Sequence, residues 1–127
     1  MLGNAVYLPV VASLGHDPGA DDDIAIWRAP FACTIRSAYV TMSNALGGST
    51  ANYFDLALYN GGTAGTALSA IAGTIGGTAG WTALTPVAFT ISDGDLDAGE
   101  LVKIRYNEEG TGTFAHAILQ LDVQPGI

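Results

Sequence analysis

The clearest pattern in the chain is a strict alternation of apolar and other positions from Tyr53 to Tyr59. Phe54, Leu56 and Leu58 fall on one side of an extended chain, and the residues between them fall on the other. A period of two is typical of a strand that is buried on one face. The pattern therefore predicts a half-buried strand whose leucine side faces a core.

A second long strand is predicted from Phe31 to Met42, and its apolar positions change parity halfway along. The two inward sets are Phe31, Cys33 and Ile35 before the change and Ala38, Val40 and Met42 after it. A bulge near Arg36–Ser37 would turn both sets inward. We expect this strand to be the partner of the first, with the Gly/Ser/Asn-rich segment 44–51 as the loop between them.

The rest of the chain adds shorter strands separated by turn residues, with no helical period of any length. The predicted strands are 24–27, 68–72, 87–91, 101–106 and 114–123. Their inward sets include Val87, Phe89 and Ile91, then Val102, Ile104 and Tyr106, and finally Ala117, Leu119, Leu121 and Val123. About eight strands in this spacing predict an all-β fold, an antiparallel jelly-roll β-sandwich. An immunoglobulin-like sandwich is the alternative, although its paired cysteines are absent.

The chain length of 127 residues indicates one domain. We assign residues 1–12 to an extended N-terminal arm or edge strand and residues 13–127 to a single β-sandwich domain. Pro9 cannot donate to a β-ladder, which excludes a central strand in this segment. Two alternatives stay open: an edge strand of the same sandwich, or an arm that lies on a neighbouring subunit.

Charge limits the classes of partner. Only 13% of the residues are charged, against about 25% in ordinary domains, so we expect other protein to cover part of the surface. The net charge of −8 opposes a phosphate backbone and argues against nucleic-acid binding.

No apolar run approaches the ~18 residues of a membrane helix, and no basic residue precedes the apolar Met1–Val11 segment as a secretory signal requires. We expect no membrane partner.

No arrangement typical of catalysis is present, and we predict that the protein is not an enzyme and takes no cofactor or metal. Asp93–Glu100 has the carboxylate spacing that opens a calcium loop but lacks its later glycine and glutamate, so we interpret it as a solvated turn. The histidines, His16 and His116, have no neighbouring partners in sequence for a triad or a zinc site. Cys33, the one cysteine, is predicted to be a small buried hydrophobic residue.

Partner contacts are the remaining candidates. The apolar arm, the acidic run at 21–23 and the outward tyrosines of the 53–59 strand could each meet another molecule. The candidate partner-binding residues are Val6, Tyr7, Leu8, Val10, Asp21, Asp22, Tyr53, Tyr59 and His116.

The order of these segments resembles a known family. It runs from the apolar arm through Asp-Asp-Ile-Ala-Ile-Trp-Arg-Ala-Pro-Phe-Ala-Cys-Thr-Ile at 22–35, to Thr-Ala-Asn-Tyr-Phe at 50–54 and Leu-Asp-Ala-Gly-Glu-Leu at 96–101. In this order it is similar to small jelly-roll capsid decoration (cement) proteins of tailed bacteriophages.

The resemblance implies a structural protein of the virion, bound to the outer surface of the capsid and bracing the joints between subunits of the major capsid protein. It also implies a homotrimer that uses its N-terminal arm, here Met1–Ala12, to reach a neighbour. A carbohydrate- or receptor-binding module of a phage head fibre or tail is the alternative function.

Overall fold

The computed structural model describes residues 7–15, 19–64 and 69–126. The described chain is all-β and contains no helix, so none that could cross a membrane. Its strands are β1 (Leu8–Ser13), β2 (Asp22–Arg28), β3 (Cys33–Met42), β4 (Tyr53–Asn60), β5 (Ser69–Gly76), β6 (Val87–Ala88), β7 (Asp95–Leu96), β8 (Leu101–Glu109) and β9 (Ala117–Pro125).

The strands form two antiparallel sheets. Sheet A has the order β1-β9-β3-β6, with the short β7 also paired to β3, and sheet B has the order β2-β8-β4-β5. One hydrophobic core contains buried residues from both sheets, which confirms the predicted all-β sandwich. The jelly-roll type stays a prediction, and the chain's repeated passage from one sheet to the other is compatible with it.

The predicted pairing of the two long strands is wrong. β3 pairs with β9 in sheet A, whereas β4 pairs with β8 in sheet B. The loop between them is held at the end of the sandwich by backbone hydrogen bonds between Leu46 and Trp81. Adjacent strands in sequence often pair, and β4 does pair with the following strand β5, but the loop between β3 and β4 carries the chain from one sheet to the other.

The predicted bulge is confirmed. The register of β3 against β9 shifts between Ile35 and Ser37, and Arg36 is exposed at that point. Cys33, Ile35, Ala38, Val40 and Met42 are all buried, so both inward sets reach the core. The predicted inward sets of β8 and β9 are buried as well, and so are Phe54, Leu56 and Leu58 of β4, which lies next to β8 in sheet B.

An aromatic cluster closes the end of the core at which β4 begins. Phe54 stacks on Trp81 with ring centroids 5.1 Å apart, and Tyr106 and Phe114 pack against the same phenyl ring. The Tyr106 hydroxyl donates to the Gly112 carbonyl at 2.9 Å. The buried Trp81 Nε1 has no hydrogen-bond partner among the described residues, so this indole contributes through packing rather than through hydrogen bonding.

β1 is an edge strand of this sandwich. It pairs along its whole length with β9 and has no strand on its other side among the described residues. Val10 packs against the core, while Tyr7, Leu8 and Val11 are exposed. Residues 1–6 lie outside the described chain, so the boundary at residue 12 and an arm reaching a neighbour stay predictions.

Gly76 provides a test of the aromatic cluster. Its φ is +98°, and a Cβ there would collide with the Trp81 indole and the Phe54 carbonyl, whereas Gly77, at φ +87°, has open space. We expect Gly76→Ala to lower the free energy of unfolding by about 2–4 kcal/mol, through strain and overpacking together. Urea unfolding measures this change. Gly77→Ala, which carries the strain alone, should cost only about 1 kcal/mol; equal losses in the two variants would contradict the packing account.

Candidate functional site

Charged residues are divided unequally between the two sheets. In sheet B they lie on β2, β4 and β8: Asp22, Asp23, Arg28, Asp55, Lys103, Arg105, Glu108 and Glu109. The strands of sheet A contain only Arg36, Asp95 and Asp122. Sheet A therefore presents an almost uncharged outer surface on a chain whose net charge is −8.

Exposed large hydrophobic side chains show the opposite distribution. Among the described residues, all of them lie on sheet A or directly beside it: Tyr7, Leu8, Val11, Tyr39, Leu84 and Ile118. None lies on a strand of sheet B. Single exposed apolar residues are ordinary on a protein surface, but their concentration on one side is a mark of an interaction site.

The outward side chains of β1, β9 and β3 form what we call the apolar face: Val11, Tyr39 and Ile118, with Pro86 and Leu84 at its margin. Val11 and Tyr39 flank Gln120 in register, and Ile118 lies one pair further along β9. Tyr39, Thr41, Pro86, Ile118 and Gln120 line a shallow depression there. The face is thus an uncharged surface on which Val11, Tyr39 and Ile118 lie beside the polar side chains of Gln120, Ser13 and Thr41.

The polar border of the apolar face is held by its own hydrogen bonds. Arg36 Nε donates to Gln124 Oε1 at 2.6 Å, and the Ser37 hydroxyl donates to Asp122 Oδ2 at 2.6 Å. Tyr7 joins Arg36, Ser37 and Asp122 around a second depression. The charged groups of sheet A are therefore confined to one end of the sheet and oriented before any partner arrives.

Leu84 has an unusual backbone conformation at the margin of the apolar face. Its φ is +56°, a left-handed value that costs a non-glycine residue about 1 kcal/mol or more. Its side chain is 76% exposed, so no packing within the described chain compensates for this strain. Its N–H donates to the Met42 carbonyl at 2.7 Å, which fixes the loop to β3. The fold thus holds a leucine outward at the edge of the apolar face.

Three charged side chains on the outer surface of sheet B contact one another. Arg105 makes two hydrogen bonds to the Asp23 carboxylate, at 2.8 and 3.1 Å, and Lys103 lies 3.8 Å from it. The hydrogen bonds from Arg105 hold the pKa of Asp23 below its ordinary value, against a smaller opposing effect of burial. The Arg105 guanidinium also lies 4.8 Å above the centre of the Tyr59 ring, a cation–π contact.

The sequence-predicted partner residues are not brought together into one site. Tyr53 and Tyr59 are half-buried on sheet B, and Tyr59 is covered by Arg105. Asp21 lies against β8, because its carboxylate accepts the Glu108 N–H at 2.8 Å, and Asp22 lies beside it in the same acidic depression. His116 is exposed just before β9, and Tyr7, Leu8 and Val10 lie on the β1 side of sheet A. Val6 lies outside the described residues.

Sequence reasoning missed the centre of the apolar face. Ile118 occupies an outward position on β9, the same parity as His116, Gln120 and Asp122, and an apolar residue among these was a detectable signal. Tyr39 likewise occupies an outward position on β3 when the bulge is taken into account. Leu84 gave no signal, because its exposure follows from a loop conformation that has no sequence period.

The acidic turn at 93–100 uses its carboxylates within the fold. Asp95 accepts the Thr34 hydroxyl at 2.9 Å, and Glu100 accepts the Asp97 N–H at 2.7 Å. Among the described residues, no group of three or more His, Cys, Asp or Glu side chains is arranged to hold a metal ion. Cys33 is fully buried, as predicted, and burial raises the pKa of its thiol, which suits a packing role.

The comparisons with known proteins do not assign a family to this chain. No protein-family model and no curated protein matches the chain. Among solved structures, it is similar to an α-amino acid ester hydrolase labelled with selenomethionine, at 9% identity and a TM-score of 0.45. The match covers 98% of this chain but only 33% of that protein. A similarity of this strength carries no argument about activity.

Asp23 offers a test of the charge network on sheet B. We expect Asp23→Asn to lower the free energy of unfolding at neutral pH by about 0.5–1 kcal/mol, the scale of an exposed ion pair. The native pKa of Asp23 is lowered, so its stabilisation is present above the ordinary carboxyl pKa of about 4 and is lost as pH falls through the native value. The difference between variant and wild type should therefore shrink in acid, as urea unfolding at a series of pH values would show.

Glu109→Gln makes the same change of charge on the same sheet, outside the Asp23 network. It should leave stability at neutral pH within about 0.5 kcal/mol of wild type. A loss as large as that of Asp23→Asn would mean that net charge, and not the Arg105 contact, sets the effect.

Proposed function

We propose that this chain is a non-catalytic binding module that attaches to another protein through the apolar face of sheet A. The observation that carries the proposal is the segregation of surface chemistry. Exposed large hydrophobic residues occur on sheet A, while the charged strand residues concentrate on sheet B.

The apolar face has the composition of an interface core with a polar rim. Charged residues are depleted from the centres of protein interfaces, whereas aromatic residues are enriched there. Tyr39, Val11 and Ile118 supply the apolar centre, and the bonded pairs Arg36–Gln124 and Ser37–Asp122 supply the rim. Pre-bonded rim groups lose little side-chain entropy when a partner arrives, which favours binding. The matching partner surface is flat, largely apolar and not strongly acidic.

The role we propose, following the resemblance of the sequence, is decoration of a phage capsid. The partner is then the major capsid protein, and the location is the outer surface of the virion. A module that binds the assembled lattice but not free subunits stabilises the lattice by mass action, and this requires a binding face and no catalytic group. The homotrimer implied by the same resemblance stays a prediction.

A second candidate is a carbohydrate- or receptor-binding module of a fibre or tail. The observation that favours it is the depression on the apolar face, where an exposed tyrosine ring, Tyr39, lies with Thr41 and the Gln120 amide. An aromatic ring with nearby polar groups can stack on a sugar and orient its hydroxyls. Binding to a glycan array that is lost in Tyr39→Ala, without binding to capsids, would favour this function.

Ile118→Lys tests the proposed binding face. The wild-type protein should co-sediment with emptied capsids of the phage that encodes it. The variant should bind at least about tenfold more weakly, equivalent to about 1.4 kcal/mol, because a buried lysine without a partner is costly. Ile118 is 46% exposed, so the fold should tolerate the change, which circular dichroism verifies.

Ala70→Lys is the matched control. It introduces the same charge at an exposed apolar position on β5 of sheet B, so capsid binding should be unchanged. Equal weakening by both variants would contradict docking through the apolar face, and absence of wild-type binding would remove the decoration role.

A further inference from the structure

We propose that Asp93–Gly94 is a site of spontaneous isoaspartate formation in the folded protein, and that the fold suppresses the related reaction at Asn60–Gly61. The chain contains one Asp-Gly pair and one Asn-Gly pair. A following glycine favours this chemistry, because it has no side chain to obstruct the attack of its own backbone nitrogen. The proposal does not depend on the proposed function.

The reaction needs no co-reactant other than water. The Gly94 amide nitrogen attacks Cγ of Asp93, a C–N bond forms, and one carboxyl oxygen leaves as water with the carboxyl and amide protons. Water then adds to the main-chain carbonyl carbon of Asp93 in the resulting succinimide and breaks its bond to the Gly94 nitrogen. The main chain now runs through Cγ of residue 93, as isoaspartate, and the atomic composition is unchanged.

The structure leaves the Asp93–Gly94 pair open to this attack. Asp93 is exposed, and its Oδ1 accepts the Asp95 N–H at 3.4 Å, which closes an Asx turn whose ring includes the Gly94 nitrogen. The Gly94 N–H has no hydrogen-bond acceptor among the described residues. Both residues line a depression beside β3, so water can leave and enter. A nucleophile held in the same turn as its target, and bonded to no other group, is close to the reacting geometry.

The glycine of this pair is required by the fold. A Cβ on Gly94 would collide with the Ile35 carbonyl, because the segment lies against β3 beside its bulge. The Gly94 carbonyl accepts the Ile35 N–H at 2.8 Å, which fixes this close approach. Packing therefore keeps glycine at position 94, whereas the exposed side chain at position 93 is under no such restriction.

Asn60–Gly61 is the more reactive pair in an unfolded chain, because a neutral amide is attacked more readily than a carboxylate. In the fold, the Gly61 N–H donates to the Leu101 carbonyl at 2.7 Å, and Asn60 Oδ1 accepts the Gly62 N–H at 2.7 Å. Asn60 is only 9% exposed. The attacking nitrogen and its target are both held by other groups, so reaction requires local opening at the end of β4. The fold thus reverses the intrinsic order of reactivity.

Isoaspartate at position 93 would lengthen the chain where it joins the two sheets. The Ser92 and Asp93 N–H groups donate to the Ile71 carbonyl on β5, at 2.8 and 3.2 Å, and the next carbonyl, that of Gly94, is bonded to Ile35 on β3. An additional main-chain carbon cannot enter this short link without loosening one of these hydrogen bonds. The modified chain should therefore be less stable than the original one.

Ageing of the folded full-length chain at neutral pH tests the proposal. Peptides from an endoproteinase that cleaves before Asp, but not before isoaspartate, are analysed by mass spectrometry, and an isoaspartyl methyltransferase labels the product. We expect peptides that remain uncleaved at position 93, without a change of mass, to accumulate while Asn60 keeps its amide. In urea the order should reverse, with Asn60 reacting first. The urea concentration that unfolds the aged chain should fall as its isoaspartate content rises.

Asp93→Glu preserves the charge but would have to close a six-membered imide, which forms much more slowly, so the label should be lost. Asp97→Glu makes the same change in the same acidic turn and should be labelled as wild type is; circular dichroism verifies that both variants fold.

Four results would each overturn the proposal: no isoaspartate at position 93 when the unfolded chain has formed it, a label that survives in Asp93→Glu, equal deamidation of Asn60 in the folded and unfolded chains, or unchanged unfolding of the aged chain. None of them bears on capsid binding by the apolar face, which Ile118→Lys tests separately.

Discussion

The structure depends on the parity of side chains along β3. This strand lies between β9 and the short strands β6 and β7, and its bulge at Arg36 is what allows Ile35 and Ala38 to face the same core. Without the extra residue, one half of the strand would turn its apolar set to solvent and its polar set inward. The same bulge decides which residues face outward, because Tyr39 and Thr41 belong to the second half. One local irregularity therefore sets both the core residues and the outward residues of β3.

The segregation of charge follows from a second constraint, the need to satisfy buried and half-buried polar groups. On sheet B, Asp23, Arg105 and Tyr59 form a contiguous network across three strands, which keeps that surface polar and internally bonded. Sheet A has no such network at its centre, only at the end that carries Arg36 and Asp122. A surface that bonds to itself gains little from a partner, whereas an apolar surface gains by losing contact with water. The contrast supports the proposal that sheet A is the binding side.

Much of the fold could be predicted from the sequence, because alternation is a local property. The inward faces of β4, β8 and β9 and the bulge in β3 all follow from residue parity. The predicted pairing of β3 with β4 was wrong, because strand partners are determined by contacts between residues distant in sequence, and a local pattern contains no information about these contacts. The apolar face was not predicted as a unit. The pattern shows the apolar β1 segment that contains Val11, but the exposure of Tyr39 and Ile118 depends on which neighbours the sheets supply, and that of Leu84 on a strained loop.

Electrostatic repulsion between copies explains how an exposed apolar face and an open strand edge can coexist in one chain. An exposed apolar face or an unpaired strand edge alone favours nonspecific association. Here the acidic groups of β2 and β8 surround sheet B, so that approach from that side is opposed at long range. Approach is opposed less from the sheet A side, where the Arg36–Gln124 and Ser37–Asp122 pairs border the apolar face. In the proposed binding mode, specificity thus comes less from attraction at one site than from repulsion on the other side of the molecule.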